Sequence, residues 1–198
     1  MRTARIAVLV SGGGTNLGAI IKAQAEGRLT SGKIELVISN KADAYALQRA
    51  ANAGIPTATV LKKECLTQEV FEDRIMALLS ENKIDLIVLA GFMNILSADF
   101  TSKWPERIIN VHPALIPSFC GKGMYGLAPH EAALKYGVKV TGATVHFVNE
   151  IPDGGKIIAQ KAVYVEEGDT PEVLQRRVME QAEWIILPEA VEEVCSKL

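Results

Sequence analysis

Ile6-Ala7-Val8-Leu9-Val10-Ser11-Gly12-Gly13-Gly14-Thr15-Asn16 runs five apolar, largely β-branched residues straight into three glycines and then a hydroxyl and an amide. From residue 16 to 26 the apolar positions recur at helical spacing, so the stretch predicts a strand, a tight turn and a helix in succession. The same alternation continues outward. Strand-like runs at residues 34–38, 57–61 and 84–90 are separated by amphipathic stretches at 42–53 and 68–80. Parallel strands need a crossover, and a helix is the usual one, so this half of the chain reads as a parallel α/β sheet. In such sheets ligands gather at the C-terminal ends of the strands.

A further strand over residues 107–111 runs directly into His112-Pro113. The character then changes. An irregular, glycine-rich stretch at 117–127 leads to a short helix at 129–136. Two strand-like runs follow, at 139–148 and 156–165, joined by Asn149-Glu150-Ile151-Pro152-Asp153-Gly154-Gly155 as a hairpin with a long loop. Thr170-Pro171-Glu172 carries the N-cap and first-turn proline of a last helix, expected to continue to the C-terminus with a break at Pro188. The expectation is one domain over residues 1–198: an α/β fold with a mixed, mostly parallel sheet, helices on both faces and an antiparallel C-terminal hairpin.

The 198 residues are 48% hydrophobic and carry 21 basic against 23 acidic side chains, with no concentrated basic stripe. Nucleic acid is not an expected partner, whereas a local basic group can still hold a small anion. Cys65, Cys120 and Cys195 are odd in number and far apart, which suits reduced thiols better than disulfides or a metal knuckle. Without a signal peptide or a membrane-length apolar run, the chain is expected to be cytoplasmic with no membrane partner.

At the glycine-rich turn, free amides and the positive end of a helix dipole can meet an anion. The dinucleotide fingerprint fails because Leu17 stands where its third glycine belongs and Asn40 where a ribose-binding acid is expected. A triphosphate loop fails too, since Ala19-Ile20 replaces its lysine and hydroxyl. The turn therefore suits one phosphate, or is simply a strand-to-helix turn that needs small residues.

Asn110 and His112 are two residues apart and share one side of an extended chain. An amide and an imidazole together suit acyl transfer, the first donating to an oxyanion and the second donating or delivering a proton. Alternatively, His112 is a hydrogen-bonded histidine at a strand end. Asp153, beside two glycines that permit close approach, is expected to raise the pKa of His112; by itself Asp-Gly-Gly is an ordinary turn. His146 either faces this site or is a buried structural histidine, and His130 is expected to have a surface or capping role. No His-Glu-x-x-His pattern or Gly-x-Ser-x-Gly elbow is present, so neither a catalytic metal nor a covalent nucleophile is expected.

Ser11-Gly-Gly-Gly-Thr-Asn16, Ala90-Gly-Phe-Met93, Asn110-Val-His-Pro-Ala-Leu-Ile-Pro-Ser118 and Thr144-Val-His-Phe-Val148 with Asp153-Gly-Gly155 occur in that order. Together they resemble the phosphoribosylglycinamide formyltransferases, a folate-dependent family of purine biosynthesis, along nearly the whole chain. The resemblance implies a Rossmann-like formyltransferase fold, with a phosphate-binding half at about residues 1–100 and a catalytic, folate-binding half at about 101–198. It implies glycinamide ribonucleotide and 10-formyltetrahydrofolate as substrates, no metal, and a monomer or homodimer.

By the same resemblance, Asn110, His112 and Asp153 are catalytic, and Gly13, Gly14, Thr15 and Asn16 hold the substrate phosphate. Glu183, aligned across a one-residue gap, receives the substrate amine. The folate contacts are Met93, Asn94, Ile95, Leu96, Asn110, Glu150, Ile151, Pro152 and Asp153, with Thr144 and His146 behind the catalytic groups. Asn94 stands where arginine is common in relatives, Ala128 where histidine is common, and residues 119–127 form a longer segment than in many members. Related family chemistries are hydrolysis of the formyl donor and transfer to methionyl-tRNA or a sugar amine. Relatives in the first two classes carry added domains for which this length leaves no room. A non-catalytic phosphate-binding module would explain the glycine turn alone.

Overall fold

Alternate residues of β1 (Ala4–Val10) feed two different cores: Ile6, Val8 and Val10 pack on one side, Ala7 and Leu9 on the other. A strand buried on both faces reads as an unbroken apolar run, which is why residues 6–10 show no polar alternation. The computed structural model describes residues 2–198.

β1 is an interior strand of a seven-stranded sheet. β2 (Gly32–Ser39) and β3 (Thr57–Thr59) extend it on one side, and β4 (Leu86–Leu89), β5 (Ile108–His112), β6 (Val140–Phe147) and β7 (Ile157–Tyr164) on the other. The order is β3-β2-β1-β4-β5-β6-β7. The first five strands are parallel, and β6 and β7 run antiparallel, as expected for the hairpin.

Helices cover both faces. α1 (Thr15–Ala25) and α2 (Tyr45–Asn52) lie on the side of Ile6 and Val8, while α3 (Gln68–Glu81) and α4 (Ala98–Ser102) supply Phe71, Ile75, Leu79 and Phe100 to the other core. α5 (Ala128–Tyr136) opens with Pro129 in its first turn and ends on Gly137 at φ 83°, a left-handed stop that glycine adopts without strain.

The C-terminal helical region departs from expectation. α6 (Pro171–Val178), capped by Thr170, passes into a widened turn at Met179–Glu183, and α7 (Trp184–Cys195) follows with Pro188 in its interior. The irregularity is therefore one turn upstream of the proline. Pro188 crowds the carbonyl of Trp184 and gives it no N–H. The Trp184 N–H itself reaches back to the Met179 carbonyl, the five-residue bond of a π-type turn.

Among the described residues no helix is long and apolar enough to cross a membrane, and no group of three His, Cys, Asp or Glu side chains converges as a metal site.

Candidate active site

β1, β4 and β5 deliver their C-terminal ends to one cleft of about 830 Å³, at the switch point of the strand order where ligands bind open α/β sheets. Its walls are residues 12–16, 90–95 and 110–113, the loop at 121–126, and His130, Pro152, Asp153, Gln175, Met179 and Glu183.

The glycine turn is shaped by α2. Gly14 sits at φ 70°, and a Cβ there would lie 2.6 Å from Ala46 Cβ, so its backbone angle and its contact both require glycine. Arg49 Nε donates to the Gly13 carbonyl at 2.8 Å. No side chain caps α1, which leaves its first-turn amides facing the cleft for an anion. Ser11 Oγ accepts from the Met93 amide at 2.8 Å and ties this turn to the loop after β4.

Asn16 is committed elsewhere. Its Nδ2 donates to Glu183 Oε2 at 2.7 Å, and both side chains are buried. That bond takes one of the two Nδ2 hydrogens, so the side chain is held by Glu183 and the backbone amide is the donor at the helix N-terminus. Burial pushes the Glu183 carboxyl above its ordinary pKa, against the bond from Asn16. Glu183 closes the widened turn at 179–183, and its bond from Asn16 ties that turn to α1.

Asn110, His112 and Asp153 do converge. Asn110 and His112 share the face of β5 that meets the cleft. The 149–155 loop comes close enough that a Cβ on Gly155 would sit 1.7 Å from the Phe147 carbonyl, so this approach requires glycine. Asp153, at φ 57°, lies 3.6 Å from His112 Nδ1 and 3.5 Å from His146 Nε2, and accepts from the Gly121 amide at 2.8 Å. Despite its burial, His146, Gly121 and the His112 charge hold its carboxyl below the ordinary value.

His146 thus faces the site. Its Nδ1 pairs with the Phe147 carbonyl at 2.8 Å and its Nε2 with Asn110 Nδ2 at 3.3 Å. Nε2 also lies 3.5 Å from Asp153 Oδ1, so it donates to Asp153 when protonated and accepts from Asn110 when not; His146 takes at most one Asn110 amide hydrogen and leaves the other free. Thr144 Oγ1 donates to the Ala114 carbonyl at 2.7 Å and accepts from the Ile116 amide at 3.1 Å, fixing the chain as it leaves His112-Pro113.

The raised pKa expected for His112 is corrected. His112 is 3% exposed, and burial, helped by the nearby His146, lowers its pKa against the raising effects of Asp153 and the Phe119 carbonyl. That carbonyl takes Nε2 at 2.8 Å. The ring therefore has a hydrogen-bond acceptor at Nε2 and a carboxylate at ion-pair distance from Nδ1, an arrangement suited to the imidazolium, inside an enclosure that opposes charge.

His130 is corrected as well. It is fully buried and lines the cleft, and burial, with the nearby charge of His112, lowers its pKa to about 4. Its three-residue spacing from buried Ala133 on α5 was the available signal for that placement.

The folate contacts implied by resemblance divide. Met93, Asn94, Ile95, Pro152 and Asp153 line the cleft, whereas Glu150 and Ile151 are exposed outside its wall. Leu96 packs into the core with Phe71 and Phe100. Gln68 and Ser97 bond to Glu72 and anchor the segment there, which turns Leu96 inward. Burial, reinforced by Asp153, pushes the Cys120 thiol pKa up, the reverse of an activated nucleophile.

The chain matches the family described as formyl transferase over residues 4–191. It is 46% identical over 98% of its length to the human trifunctional purine biosynthetic protein adenosine-3, of which it covers 19%. It therefore spans about a fifth of that relative. To the phosphoribosylglycinamide formyltransferase of Haemophilus influenzae it is 44% identical, covering 93% of this chain and 84% of that one. A crystal structure of glycinamide ribonucleotide transformylase 1 from Symbiobacterium toebii superposes with a TM-score of 0.92 at 41% identity, covering 98% of this chain and 89% of the other. Sequence, fold and cleft agree: the chain belongs to the formyl transferase family.

Proposed function

We propose that the chain transfers the formyl group of 10-formyltetrahydrofolate to the amine of glycinamide ribonucleotide in purine biosynthesis. The observation that carries this reading is the meeting of Asn110, His112 and Asp153 at the end of β5, in the same cleft as the uncapped N-terminus of α1. One end of the cleft suits a phosphate and the other a polar reaction centre.

The phosphate lies against the amides of Gly13, Gly14, Thr15 and Asn16, and Glu183 receives the amine. The pterin ring rests against Met93, Asn94 and Ile95, with Pro152 and Asp153 opposite and Glu150 and Ile151 shaping their loop. Leu96 supports this wall from the core.

The amine attacks the formyl carbon directly. Negative charge develops on the formyl oxygen, where the free Asn110 amide hydrogen and His112 donate to it. His112 Nε2 is held by the Phe119 carbonyl in this structure, so the oxyanion takes that carbonyl's place. Asp153 stabilises the imidazolium, the attacking nitrogen loses a proton, N10 gains one, and the carbon–N10 bond breaks. No covalent enzyme intermediate is needed.

Asp153→Asn tests the assignment. Asparagine tolerates the left-handed backbone at this position, so the loop is retained. Binding of both substrates is expected to be preserved in calorimetry while turnover at neutral pH falls about a hundredfold or more. Unchanged turnover removes Asp153 from the chemistry.

A further inference from the structure

Of the three histidines, His112 and His146 have partners for both ring nitrogens, while His130 has none for either. A fully buried imidazole is costly without partners, because it has given up water at both nitrogens. Yet the ring is not sealed in the core. It lines the cleft from the first turn of α5. α5 packs against α6, and Met179 and Glu183, from the turn that follows α6, line the same cleft as His130. Asn16 Oδ1 and Asn94 Nδ2, also buried and without a partner, belong to residues that line the same cleft. Unpaired polar atoms on three residues that line one cavity describe a site completed by a polar ligand.

We propose that His130 binds the glycinamide arm of the acceptor substrate through its free ring nitrogens and holds the amine for attack. This rests on the function proposed above. A neutral imidazole has one donor and one acceptor, and the glycinamide arm has a carbonyl to receive the first and N–H groups to supply the second. The lowered pKa keeps the ring neutral across the working range, so that both capacities are present.

Steady-state kinetics of His130→Phe and His130→Gln, each with a melting curve, test this. Phenylalanine fills the space without hydrogen-bonding. The KM for glycinamide ribonucleotide is expected to rise about tenfold or more, with the KM for the formyl donor unchanged and the melting temperature equal to or above that of the unaltered chain. Glutamine is expected to recover much of the loss. An unchanged acceptor KM in folded His130→Phe overturns the proposal. So does a loss shared by both substrates with a lower melting temperature, the mark of a structural histidine. Failure of the unaltered chain to formylate glycinamide ribonucleotide overturns the functional reading itself; activity there with an indifferent His130→Phe overturns only the His130 assignment.

Discussion

Glu183 and Asn16 join positions 167 residues apart in sequence. The carboxylate has one bond from Asn16 Nδ2, while Asn16 Oδ1 beside it has no partner. Burial raises the Glu183 pKa. Below the ordinary carboxyl value of 4.5 the group is neutral in both folded and unfolded chains. As pH rises above it, the unfolded chain releases the proton first and the folded state loses relative stability. Glu183→Gln keeps the acceptor for Asn16 Nδ2 and adds a donor for Oδ1. It is expected to gain about 1 kcal/mol at neutral pH, with the gain vanishing near pH 4, while acceptor affinity falls. Melting curves at the two pH values measure this, and a lower melting temperature at pH 7 contradicts it. Asn110 and His112 were legible from a two-residue spacing, and Asp153 from the glycines beside it. The Asn16–Glu183 pair and the burial of His130 were not, because both depend on helices that meet only in the folded chain.

At the scale of elements, the widened turn at Met179–Glu183 has a specific consequence. A π-type turn holds one residue more than an α-helix needs. Removing exposed Gln181 should convert it to a regular turn, leaving α6 and α7 in register and Glu183 against Asn16. In an ordinary helix the same deletion would rotate everything beyond it by about 100°. Retention of folding and of turnover to within about tenfold is expected by circular dichroism and kinetics; collapse of either contradicts this account. The parallel strands were legible because Val8 and Leu9 belong to runs apolar on both faces. The site of helix irregularity was not. Pro188 marks a local clash, but the packing of α7 decides which turn absorbs it.

For the molecule as a whole, His130 and His112 are both held below the ordinary histidine pKa of 6.5 by burial. The unfolded chain takes up their protons first, so stability falls as pH drops from about 6.5 toward 4. Glu183 works in the opposite sense over its own range, and Asp153, with a lowered pKa, adds a loss only at still lower pH. The drop in melting temperature between pH 7 and pH 5 is expected to be smaller in His130→Phe than in the unaltered chain; an equal drop would show that His130 is not a source of the acid sensitivity. His112 explains why this balance was not legible: Asp153 was visible as a charge that raises its pKa, but the enclosure that outweighs Asp153 is built by the whole fold.

The same enclosure bears on the central claim of direct formyl transfer. The most direct measurement follows loss of 10-formyltetrahydrofolate and formylation of glycinamide ribonucleotide together, with the acceptor present and absent. Direct transfer requires matched donor loss and acceptor formylation, and a stable donor when the acceptor is omitted. Donor loss at the same rate without the acceptor would contradict transfer and identify the reaction as hydrolysis.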